Sequence, residues 1–101
     1  MKIQFQIVQR PGSDLRAVLI SAMRTGQLRT FFAKNRGKKI THRSHPGWMN
    51  WKYQDGVITC RVLSPKKPGQ EWKLFHAFIG RLADKYPDKI QSISIQFVKD
   101  K

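Results

Sequence analysis

The stretch that decides the fold is residues 48–63, which read WMNWKYQDGVITCRVL. Asp55 and Gly56 at its centre form the dipeptide most typical of a two-residue type I′ hairpin turn. Closure at that turn pairs Trp48 with Leu63 and separates the side chains by polarity. One face collects the apolar residues Met49, Trp51, Tyr53, Ile58, Cys60 and Val62. A slip of one residue would mix the two faces, so the stretch predicts an antiparallel hairpin in this register.

Strands and helices are indicated on both sides of the hairpin. Residues 2–9 alternate between apolar and polar side chains, which predicts a half-buried strand. Ser13 is the predicted N-cap of a helix that ends at Gly26. A second helix over residues 71–86 stops before Pro87, and residues 92–97 alternate again. Residues 27–37 suggest a short helix and residues 38–43 an extended connector.

The resulting order, β-α-β-β-α-β, predicts one α+β domain over residues 1–101. We expect a two-layer, ferredoxin-like fold, in which two helices cover one face of a four-stranded antiparallel sheet. The other face should be open to solvent. In the strand at residues 57–63 it would present Val57, Thr59 and Arg61. These differ from the exposed aromatic rings of RNA-recognition modules, so we do not assign the chain to that class.

The charge distribution points to a polyanionic partner. The chain has 20 Lys and Arg against 6 Asp and Glu, a formal net charge of +14. No acidic residue lies between Asp14 and Asp55. Because a surface of one sign repels itself, it is usually kept where a counter-charge binds. The sequence therefore predicts nucleic-acid binding, with RNA favoured over DNA.

We expect the phosphate contacts to come from a basic rim between the first helix and the hairpin. Its cations are Arg29, Lys34, Arg36, Lys38, Lys39 and Arg43. Lys52, Lys66 and Lys67 extend the same set, and Trp48 is the residue predicted to stack on a base.

Two other functions fit the same residues. His42 and His45 are candidate acid and base residues for a metal-independent, toxin-like ribonuclease, with neighbouring arginines stabilising the phosphate. Alternatively, the basic surface could dock an acidic protein.

Several classes of protein are not indicated. A single cysteine, Cys60, rules out an internal disulfide, and the sparse His and Cys residues predict neither a metal site nor a cofactor. Residues 1–12 do not read as a signal peptide, and no apolar stretch approaches the length of a membrane span. We expect a cytoplasmic protein with no membrane partner. The aromatic residues Trp51, Tyr53, Trp72, Phe75 and Phe78 should lie in the core.

Overall fold

The computed structural model describes residues 2–35, 37–65 and 69–98. The described elements are β1 (Lys2–Gln9), α1 (Leu15–Thr25), β2 (Phe31–Lys34), β3 (Lys39–His42), β4 (Trp48–Gln54), β5 (Val57–Leu63), α2 (Glu71–Lys85), a 3₁₀ turn (Pro87–Lys89) and β6 (Ile90–Val98). The strands form one sheet in the order β2-β3-β4-β5-β1-β6, and each neighbouring pair is antiparallel.

The prediction of a four-stranded, ferredoxin-like sheet is therefore wrong. Residues 31–42 form a second hairpin, β2–β3, whose strand β3 pairs with the free edge of β4. The described residues of the segment 27–37 form turns and β2 instead of the predicted short helix, and Phe31 is buried beneath α2 with its ring 5.3 Å from that of Phe78. This long-range contact, together with the local pairing of β2 with β3, overrides the weak helical preference of the segment.

The hairpin β4–β5 has the predicted register. Trp48 pairs with Leu63 and Gln54 with Val57. Asp55 and Gly56 have φ angles of 52° and 81°, and positive values at both positions are what a type I′ turn requires. The helix start differs by one residue from the prediction. The N-cap of α1 is Asp14 rather than Ser13, and its carboxylate accepts a hydrogen bond from the Ala17 amide at 3.3 Å.

A single apolar core lies between the helices and one face of the sheet. Its sheet side is built from alternate strand residues, including Phe5, Ile40, Met49 and Cys60, while Leu19 and Phe78 project from the two helices. Of the aromatic residues assigned to the core, Trp51, Phe75 and Phe78 are buried. Tyr53 and Trp72 are exposed, contrary to prediction. Neither described helix has the length and apolar character needed to cross a bilayer.

Candidate nucleic-acid interface

The second hairpin carries part of the basic segment onto the sheet. Lys34 of β2 pairs with Lys39 of β3, and Lys39 pairs in turn with Asn50 of β4. Asn50 then pairs with Arg61 of β5, and Arg61 with Gln4 of β1. Paired residues in antiparallel strands project to the same side, so these five side chains form one row across the sheet. The row lies on the side opposite the core, which we call the open face.

A second row of the open face runs beside the first. Lys52 pairs with Thr59, and Gln6 of β1 pairs with Thr59 on its other side. The two rows surround a shallow depression lined by Gln4, Asn50, Lys52, Thr59 and Arg61. Amide, hydroxyl and cationic groups thus converge on one concave patch in the middle of the sheet. This patch combines hydrogen-bonding groups with positive charge, which are the chemical requirements of a sugar-phosphate ligand.

Two aromatic side chains lie beside these rows, in the part of the sheet formed by β2, β3 and β4. Phe32 pairs with Thr41, and Thr41 pairs with Trp48, so both rings lie on the open face two strands apart. Phe32 is 44% exposed. Trp48 is half-buried, and the Lys39 ammonium lies 4.4 Å from the centroid of its ring. Lys39 therefore makes a cation–π contact that holds it beside the predicted stacking residue.

The strand positions of the open face carry charge of one sign in the part of the chain that the structure describes. Five cations project from them, namely Lys2, Lys34, Lys39, Lys52 and Arg61. The described acidic residues lie instead in turns, in α2 and at the start of α1. Like charges directly opposite each other in a sheet cost about 0.2–1 kcal/mol. The Lys34–Lys39 pair is such an unfavourable arrangement, and no acidic residue on the described open face offsets it.

The remaining rim residues are divided between the two ends of the second hairpin. Lys38 lies beside its turn, where it lines a depression together with Arg16 and Ala17 of α1 and Trp51 of β4. Arg29 lies in the connection before β2, where it shares a small polar depression with Arg81 and Lys85 of α2. Arg43 follows β3, and its amide donates to the Thr30 carbonyl at 2.8 Å. The described rim residues thus lie in or beside a hairpin rather than in the extended connector that the sequence suggested. The predicted contacts Arg36, Lys66 and Lys67 lie outside the described residues.

The two histidines adjoin each other, His42 at the end of β3 and His45 in the turn before β4. His42 Nδ1 accepts hydrogen bonds from the amides of Ser44 and His45, at 2.9 and 3.2 Å. Its ring lies 4.6 Å from that of Phe31 and 4.5 Å from that of His45. Burial, followed by the charges of His45 and Arg81, lowers the pKa of His42. The neutral ring therefore carries its proton on Nε2, where it can only donate.

This geometry opposes the use of His42 as a general base. Its free lone pair is on Nδ1, and the backbone of the turn already occupies it. The turn requires glycine at position 47, because Gly47 has a φ angle of 95° and a Cβ atom there would lie 2.1 Å from the Leu63 carbonyl oxygen. His42 thus acts as a structural acceptor within the turn. A catalytic role for His45 stays a prediction. Within the described ranges, no three His, Cys, Asp or Glu side chains are grouped to hold a metal ion.

The sequence indicated that the binding surface is the basic rim, so four residues that line the central depression of the open face were not among the predicted contacts. These are Gln4, Asn50, Thr59 and Arg61, and the neighbouring Phe32 was also not predicted. The alternation of apolar and polar residues in β1, β4 and β5 is the sequence signal that places these four side chains on the open face. Phe32 had no such signal, because its strand was not predicted. No protein-family model, no curated protein and no solved structure matches this chain.

Proposed function

We propose that this protein binds single-stranded nucleic acid, with RNA favoured over DNA, on the open face and the adjoining second hairpin. The observation that carries the proposal is the Lys34–Lys39 pair on an open face whose described strand positions have no acidic side chain. We place this activity in the cytoplasm.

The positive charge of the open face can be explained by solvation alone or by a bound polyanion. A merely solvated sheet face gains nothing from two lysines in directly opposed positions, because each destabilises the other. A phosphate backbone removes that cost by supplying negative charge between them. Each phosphate neutralised also releases condensed counterions, which adds favourable free energy at low salt. The basic row is therefore better explained by a polyanion than by solvent alone.

The aromatic residues favour a single strand. Phe32 and Trp48 border the basic row, and an unpaired base can stack on an aromatic ring whatever its sequence. A duplex keeps its bases stacked on each other and would leave these rings unused. The preference for RNA rests on the depression, where Asn50 and Thr59 offer hydrogen-bonding groups of the kind that contact a ribose 2′-hydroxyl.

The test is a salt titration of binding to a fluorescently labelled single-stranded RNA of mixed sequence. For a single strand, the logarithm of the affinity should fall against the logarithm of salt concentration by about 0.7 per phosphate contacted. The Lys52→Gln/Arg61→Gln variant removes two open-face cations and should lower the slope by about 1.4. The Lys73→Gln/Lys89→Gln variant removes two positive charges from outside that face and should keep the wild-type slope.

Matched double-stranded RNA and single-stranded DNA complete the experiment, with cleavage followed in the same samples. Equal slopes for the two variants would reject the open face as the binding surface. Binding without any salt dependence would reject phosphate recognition altogether. An acidic protein partner remains a separate prediction, in which the same lysines are needed but Trp48 is not.

A further inference from the structure

The outer strand at the other end of the sheet has the properties of a pairing edge. Strand β6 is nine residues long, and only β1 pairs with it among the described strands. Its sequence IQSISIQFV contains no charged residue and no proline. Proteins usually protect such an edge from pairing by charge, by proline or by making the strand short. The opposite edge strand, β2, is short and ends in Lys34, whereas β6 has none of these protections.

Exposed apolar side chains are concentrated beside this edge. Trp72, Ile95, Phe97 and Val98 are 45%, 41%, 54% and 42% exposed, and they are four of the six large apolar residues found exposed in the described chain. Ile95 and Phe97 lie on the core side of the sheet, opposite Phe5 and Ile3 of β1. They remain uncovered because α2 packs over β1 and β5. The Phe97 ring lies 6.0 Å from that of Trp72, so strand and helix share one apolar patch.

We propose that a second copy of this chain covers the patch, with the two β6 strands paired antiparallel about a two-fold axis at Ile95. The axis is perpendicular to the sheet, so each residue opposes one on the same face. Ile95 then meets its own symmetry mate, and Ile93 opposes Phe97 of the second copy. Trp72 and Phe97 of both copies lie on the same side of the joined sheet, where each pair helps to cover the other.

The lack of charge on β6 favours a second copy over an acidic partner at this edge. Strand β6 offers no cation to an incoming acidic segment. A second copy presents the same uncharged strand, and pairing places the second hairpins at opposite ends of a twelve-stranded sheet. The formal charge of +14 on each chain still opposes association at long range. Because salt screens that repulsion, the dimer should be tighter in high salt, whereas nucleic-acid binding weakens.

The first test is sedimentation equilibrium of the nucleic-acid-free protein from 1 to 200 µM, in low and high salt, in the range where weak edge-paired dimers form. We expect a concentration-dependent species of twice the 11.8 kDa chain mass, favoured by salt. The Ile95→Lys variant should raise the dimer dissociation constant at least about 100-fold, because it replaces an apolar contact with two facing cations. Phe32→Lys makes the same chemical change on the other edge strand and should leave the dimer intact.

The second test is oxidative cross-linking. Ile95→Cys places two thiols at the axis, where the Cα–Cα separation of paired strands suits a disulfide. We expect a covalent dimer, while Phe32→Cys should give none. A monomer at every concentration, or equal dimerisation by Ile95→Lys and wild type, would overturn the proposal. Since all samples lack nucleic acid, these outcomes are independent of the proposed RNA binding.

Discussion

Reversing the charge at Lys34 should make the protein more stable and a weaker nucleic-acid binder. Lys34 is exposed at the end of β2, directly opposite Lys39. The Lys34→Glu substitution replaces a repulsive cross-strand pair with an attractive one. It disturbs no buried side chain, because position 34 lies on the open face and contributes nothing to the core.

The expected stability gain follows from this pairing. Loss of the repulsion and gain of an attraction are each worth about 0.2–1 kcal/mol, which gives a combined increase of about 1 kcal/mol in the free energy of unfolding. For a domain of this size that raises Tm by roughly 4–8 °C. Lys34→Gln removes only the repulsion and should give about half the gain. Both gains should largely vanish in 1 M salt, where the screening length is about 3 Å.

The assay is urea unfolding and thermal melting in low salt, together with RNA titrations on the same preparations. Lys52→Glu is the matched control, because it reverses an open-face lysine whose cross-strand partner is the neutral Thr59. It should weaken RNA binding as Lys34→Glu does, but without the gain in stability.

The reasoning is refuted if Lys34→Glu is no more stable than wild type in low salt. It is also refuted if the gain persists unchanged in 1 M salt. If Lys34→Glu is more stable but binds RNA as tightly as wild type, the repulsion between Lys34 and Lys39 is confirmed, but Lys34 does not contact the RNA.

Three further predictions concern single side chains. Trp48→Ala should weaken binding to single-stranded RNA by about 1–3 kcal/mol in fluorescence titrations, whereas Trp48→Phe should retain most of the affinity. Because the pKa of His42 is lowered in the folded protein, the unfolded chain binds the proton more tightly than the folded one. The contribution of the neutral His42 to the free energy of unfolding should be fully present above about pH 6.5, and it should be lost as the pH falls through the lowered pKa of the folded state. Urea midpoints measured between pH 8 and pH 5 should show this loss, and His42→Asn should reduce it. Burial raises the pKa of the Cys60 thiol, so a thiol reagent should react with Cys60 only after the protein unfolds. Rapid labelling of the native protein would contradict the position of Cys60 in the core.

Local patterns in the sequence were enough to predict the helices and strands that have one apolar face and one polar face. The β4–β5 register followed from the Asp55-Gly56 turn together with strict alternation on both sides of it, and the structure has the same pairs. The helices were recognisable because apolar residues recur at helical spacing, although the N-cap of α1 is Asp14 rather than the predicted Ser13. The acid-free segment was also evident, since charge composition does not depend on folding.

Only the tertiary structure decided where that charge lies. Strand β2 has four residues and no alternation, and it is defined by pairing with β3 and by burial of Phe31 against Phe78. The contact between Phe31 and Phe78 joins residues distant in sequence, so no local window contains it. The pairing of β2 with β3 is local, but the sequence FFAK lacks the alternation that would have predicted a strand. Once β2 and β3 extend the sheet, Lys34 and Lys39 join Arg61 in one row, and the predicted rim and the open face become one surface. The sequence by itself determined the sign of the charge and the strand register of the central hairpin, while cross-strand pairing determined which cations face the same side.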